Sequence, residues 1–88
     1  MPIYIKHEES NTTITQIADG SWSLLEQIEA LEVWLHQNQE KLEPSAYIVD
    51  VGFSIRENAC GGGAILSPYS MAIMGKLGMK LYLSEYAD

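Results

Sequence analysis

Ile3 and Ile5 alternate with Tyr4 and Lys6, a period of two that predicts a short strand ending near Glu8. Glu9-Ser10-Asn11 is a turn signal. Thr12 to Ala18 follows and is rich in β-branched residues, which predicts a second strand and makes the two candidates for a hairpin. Asp19-Gly20 ends it. The period then changes. Leu24, Ile28, Leu31, Leu35 and Leu42 recur at helical spacing, widened by Trp34, while Glu29, Glu32, His36 and Glu40 fall largely on the other side. Ser23 with Glu26 matches a capping box at the start of this long helix, and Pro44 closes the segment.

Period two returns from Ala46 to Arg56. Tyr47, Val49, Val51, Phe53 and Ile55 share one face of the predicted strand, and Ile48, Asp50, Gly52, Ser54 and Arg56 share the other. Glu57 to Cys60 reads as a turn, with a shorter return strand expected over Gly62 to Leu66. Ser67-Pro68 is a helix start, and the helix is expected to run to Leu77 with Ala72, Ile73 and Leu77 inward. Gly78 is the C-terminal stop, since glycine enters the left-handed conformation cheaply. Met79, Leu81 and Leu83 alternate with Lys80, Tyr82 and Ser84 in a last strand.

From Thr12 onward the order is strand, helix, strand, strand, helix, strand. This predicts a single α+β domain over residues 1–88, a ferredoxin-like split βαβ sandwich with an extra N-terminal strand. Two helices are expected on one face of an antiparallel sheet. The opposite face is then bare, and it is expected to carry Tyr4, Ile48, Asp50, Lys80 and Tyr82 and to be covered by another subunit or a partner.

Composition narrows the partners. The 88 residues are 47% hydrophobic, which argues against disorder, and a core this small gains from self-association. Twelve acidic residues against five basic ones give a net charge of −7, which sets nucleic acid and anionic membranes aside as partners and suits a solvated surface or a basic protein. The single cysteine, Cys60, allows no internal disulfide and fits a reducing cytoplasm. Residues 1–7 do not read as a secretory signal, and no apolar run approaches the roughly 20 residues of a membrane span. The expected location is cytoplasmic.

Candidate chemistry is sparse. Gly61-Gly62-Gly63 precedes a helix, as phosphate-cradling loops do, but four residues intervene, Pro68 offers no amide, and no nucleotide-binding spacing is present. A loop or bulge accounts for it better. Cys60 would need His7 or His36 beside it to act as a nucleophile, and spacing alone places neither there. Glu8-Glu9, and Glu29 with Glu32, lack the histidine ligands or divergent environments of a metal or acid–base site, so they read as solvated faces with the capacity to meet basic side chains. Trp34 belongs with the core, and Trp22 either packs the incoming chain or stands partly exposed. No catalytic residue, cofactor or metal site is expected.

Taken together, Gly20-Ser21-Trp22-Ser23-Leu24, the long helix, Val49-Asp50-Val51-Gly52-Phe53, Gly61 to Gly63, Leu66-Ser67-Pro68 and Leu77-Gly78-Met79 resemble the bacterial domain of unknown function 4279 family. The resemblance runs from Gly20 to the end. Members usually begin with another strand and a short helix holding a Leu-Gly-x-x-Pro-like segment, which Met1 to Asp19 lacks. The family brings no agreed activity and no catalytic residues.

The sequence therefore points to a small bacterial protein-interaction module without catalysis, acting through the bare sheet face and the acidic helix, as a homodimer or with another protein. Its specific version is an immunity- or antitoxin-like protein that masks a basic site. The alternative is a small-ligand-binding or enzymatic domain with a pocket near the Gly61 to Gly63 loop and Cys60.

Overall fold

The computed structural model describes residues 3–87. Strand β1 (Ile3–His7) and strand β2 (Thr13–Ile17) precede helix α1 (Leu24–Asn38), which tightens into a 3-10 turn over Gln39–Lys41. Strand β3 (Tyr47–Ser54), helix α2 (Pro68–Leu77) and strand β4 (Met79–Tyr86) complete the order.

Local chemistry sets the helix ends. The Ser23 hydroxyl accepts from the Glu26 amide at 3.4 Å and so starts α1. Only half of the expected capping box forms, because the Ser21 hydroxyl takes the Ser23 amide at 3.2 Å and the Glu26 carboxylate lies 3.5 Å from that same hydroxyl. At α2 the Ser67 hydroxyl accepts from the Ser70 amide at 3.2 Å, with Pro68 in the first turn. Gly78 ends α2 at φ 85° and donates its amide to the Met74 carbonyl. A Cβ at Gly78 would also overlap the Ser45 carbonyl, so glycine is required there for space as well as for torsion.

The sheet has the order β2-β1-β3-β4. β1 is antiparallel to both neighbours, so β2 and β3 run parallel with β1 between them, and α1 carries the chain from one to the other. β4 lies parallel to β3 in unbroken register, from Tyr47 opposite Met79 to Ser54 opposite Tyr86.

This corrects two expectations. The sheet is mixed rather than antiparallel, because a helix joins β3 to β4 and returns the chain to the end from which it started. The expected strand over Gly62 to Leu66 is a loop, since Gly61, Gly62 and Gly63 hold φ of 101°, 76° and 121°, and no β ladder tolerates three such residues in succession. Both crossovers step the same way across the sheet, from β2 to β3 and from β3 to β4. Right-handed crossings in one direction place both helices on one face.

That face is the core. Ile3 and Ile5 of β1 and Tyr47, Val49, Val51 and Phe53 of β3 pack against Ile28, Leu31 and Leu35 of α1 and Ile73, Met74 and Leu77 of α2. Leu24, Trp34, Leu42, Leu66 and Leu81 close its margins. In α2 the inward stripe is Ser70, Ile73, Met74 and Leu77, and Ala72, expected inward, is exposed. The i, i+3, i+4, i+7 spacing of that stripe turns position 72 to the outside. No helix of the described residues is long and apolar enough to cross a membrane.

Candidate functional site

Alternation along the strands sends the even-numbered residues of β1, β3 and β4 away from the helices. The ladders then bring Gln16, Tyr4, Asp50 and Tyr82 into one row across four strands, and Lys6, Ile48 and Lys80 into the next. Tyr4, Ile48, Asp50, Lys80 and Tyr82 thus sit together on the face opposite the core, and among the described residues no helix covers them. Tyr82 is 46% exposed and Tyr86 41%. Trp22, also exposed, meets the Tyr86 ring edge-on at 6.0 Å between centroids, at the end of the sheet where its carbonyl accepts from the Ser54 amide.

Several polar groups on this face are bonded to one another. The Ser84 hydroxyl donates to Asp50 at 2.7 Å, tying β4 to β3. Lys80 pairs with Glu8 at 2.9 Å; the hydrogen bond to Glu8, and then its charge, push the Lys80 ammonium up from its usual pKa. Lys6 and Lys80 offset Asp50 and Glu8, so the face is balanced in charge. The acidic excess lies elsewhere. Glu26, Glu29, Glu32, Glu40 and Glu43 sit on or just beyond α1, opposed there by Lys41.

Glu29 is exposed on that helix as expected, but Glu32 is not its solvated twin. The Glu32 carboxylate accepts from the Ser67 amide at 2.8 Å and from the Ser70 hydroxyl at 2.7 Å. The bond from the Ser67 amide, followed by those from the Ser70 and Ser67 hydroxyls, holds its pKa below the ordinary 4.5. Glu32 fastens the start of α2 to the middle of α1. Its partners are 35 and 38 positions away, beyond the reach of any local sequence signal.

The cysteine–histidine arrangement does not assemble. Cys60 is exposed in the loop that leaves the far end of β3. His7 lies at the other end, with its ring 5.1 Å from that of Tyr47, and eight strand residues separate those ends by about 25 Å. His36 stacks on Tyr69 of α2 at 4.5 Å, in the last turn of α1.

The Gly61 to Gly63 loop does border a depression of about 230 Å³. Leu24, Ile28, Ala64, Leu66, Leu81 and Leu83 line it with Gly62 and Gly63, so the polar groups expected to converge there are missing from its walls. The nearest polar feature of the loop is structural: the Arg56 guanidinium donates to the Gly61 carbonyl at 3.4 Å. A larger groove of about 410 Å³ opens where α1 ends against α2, between Leu42, Tyr69, Ile73 and Lys76. No group of three or more potential metal ligands forms among the described residues. No family model, curated protein or solved structure matches the chain.

Proposed function

We propose that this chain is a bacterial, cytoplasmic protein-interaction module without catalysis, whose docking surface is the bare face of its sheet. The observation that carries this reading is the grouping of Tyr4, Ile48, Asp50, Lys80 and Tyr82 on a charge-balanced face opposite the helical layer. Tyrosines beside an aliphatic side chain, with Asp50 and Lys80 already bonded within the chain, suit the apolar centre of an interface. We read the scaffold as a ferredoxin-like split βαβ sandwich in which β1 splits β2 from β3, and we place it with the bacterial domain of unknown function 4279 on its motifs. α1 supplies a second, acidic surface around Glu29, which fits an immunity- or antitoxin-like role toward a basic partner.

The test is capture from a bacterial lysate by the immobilised chain, compared with Tyr4→Glu/Ile48→Glu and Glu26→Lys/Glu29→Lys variants. Loss of the captured partner, with Kd weakened at least about tenfold, is expected from the sheet-face variant. Partners retained by both variants would remove the reading. Loss in the Glu26→Lys/Glu29→Lys variant alone would transfer docking to the acidic helix.

The alternative is a ligand site beside the Gly61 to Gly63 loop, favoured by the apolar side chains that line its depression. It takes an apolar ligand or side chain. Retention of a fluorescent apolar probe, lost on Leu66→Glu, would support it.

A further inference from the structure

β4 borders the sheet with eight residues, free of proline and paired to β3 without a bulge. The bonds at its two ends fix which backbone groups remain free. The Tyr47 amide donates to the Gly78 carbonyl at 3.2 Å, and the Ile55 amide donates to the Tyr86 carbonyl at 3.1 Å. With in-register parallel pairing between those bonds, Lys80, Tyr82, Ser84 and Tyr86 turn their N–H and C=O toward β3. Met79, Leu81, Leu83 and Glu85 turn theirs out of the sheet.

The surroundings of this edge are apolar. Glu32 holds the first turn of α2 level with the middle of α1, Leu24 and Ile28 of α1 and the 62–66 loop border the depression over Leu81 and Leu83, and Leu83 is left 58% exposed. On α2 the flank turned away from α1 carries Met71 and Gly75, both exposed and uncharged. Tyr82 stands on the other face. The strand itself carries one charge of each sign, Lys80 and Glu85.

We infer that a second copy of this chain pairs with β4 antiparallel, edge to edge about a two-fold axis through Tyr82, extending the four strands into a continuous eight-stranded sheet. The occupant follows from register and charge. Side chains keep to one face across such an axis only if a residue meets another of the same parity. A centre at Tyr82 sets Met79 against Glu85 of the second copy and Leu81 against Leu83 of the second copy. It is the register in which all four outward residues of each strand are paired, giving about eight new hydrogen bonds. The same register covers the exposed Leu83 with the opposing Leu81 and lays the two Tyr82 rings side by side. A molecule of net charge −7 meets its own copy only through a surface without acidic excess, and this edge lies under α2, away from the glutamates of α1. The inference concerns the edge and not the bare face, so the two fail separately.

The test combines mass and register in a Cys60→Ser background. Sedimentation equilibrium is expected to give twice the 9.8 kDa chain mass for the parent and a single chain mass for Leu83→Pro. Proline at position 83 removes an outward N–H and leaves the bonds to β3 intact. Tyr82→Cys is expected to form a covalent dimer in a glutathione redox buffer, since a non-hydrogen-bonded pair places Cα atoms about 4.5 Å apart, within disulfide reach. Lys80→Cys faces Ser84 of the second copy and is expected to remain uncoupled. A parent of single chain mass at millimolar concentration overturns the inference, as does a Leu83→Pro dimer or equal coupling at positions 80 and 82. If Leu83→Pro fails to fold by circular dichroism, the cysteine pair decides alone. A dimer that survives Tyr4→Glu/Ile48→Glu keeps the edge whatever the lysate capture gives for the bare face; a dimer lost in that variant, with its fold intact, overturns the edge.

Discussion

β2 and β4 border the same sheet, but they are built differently. β2 has five residues, its ladder with β1 shifts between Ile5 and Lys6, and positive φ at Asn11 and Ala18 bends the chain away at both ends. Thr13, Thr15 and Gln16 give it polar dressing. β4 has eight residues in unbroken register, with Leu83 and Tyr82 left exposed. Short, bulged strands resist adding a neighbour, whereas long flat ones invite it. One border is therefore guarded and the other open, and the contrast points to where the sheet is fitted to grow.

The sharpest way to break the contrast is at Gly78, which launches β4. Gly78→Ala meets both a forbidden torsion and the Ser45 carbonyl, and is expected to cost about 3 kcal/mol in urea unfolding. An unchanged midpoint would show that β4 is not anchored there. Next is Glu32, which docks the helix leading into β4. Glu32→Ala is expected to cost about 1 kcal/mol at pH 7, after discounting two charge-assisted bonds for solvent screening. Because the folded carboxyl titrates below its ordinary 4.5, this stabilisation is complete above that pH and disappears as pH falls through the lowered value. The gap between parent and variant should accordingly close in acid unfolding; a gap that persists at pH 2 would assign the cost to packing. The smallest effect belongs to the guarded border. Ala18 holds φ 55°, and Ala18→Gly is expected to raise Tm by about 3 °C, the relief of left-handed strain less the entropy of glycine. A fall would mean that the Ala18 methyl group packs more than it strains.

Much of the scaffold was legible because its signals are local. Ser23, Ser67-Pro68 and Gly78 do at the helix ends what their types predict, and alternation places Tyr47, Val49, Val51 and Phe53 in the core, whereas Ile55, expected on the same face, lies past the end of β3 and is exposed. Period two is the same in parallel and antiparallel ladders, so the direction of β4 was hidden in it. The clue lay in connection length, since a helix between adjacent strands demands a parallel pair. A short return strand is the natural reading of Gly62 to Leu66 from its place after a turn, but the positive φ of Gly62 and Gly63 keeps that stretch a loop. Of the candidate site, the five sheet-face residues were legible from parity alone. The bonds of Glu32 were not, because they depend on how two helices lie against each other.

Sheet order also governs how the chain leaves the ribosome. The seat that buries Ile3 and Ile5 needs Val49 and Val51, translated more than 40 positions later. Until then the nascent hairpin has a half-built apolar side. At translation speeds of about 5–20 residues per second this interval lasts seconds, long enough for a holding chaperone to recognise the hairpin.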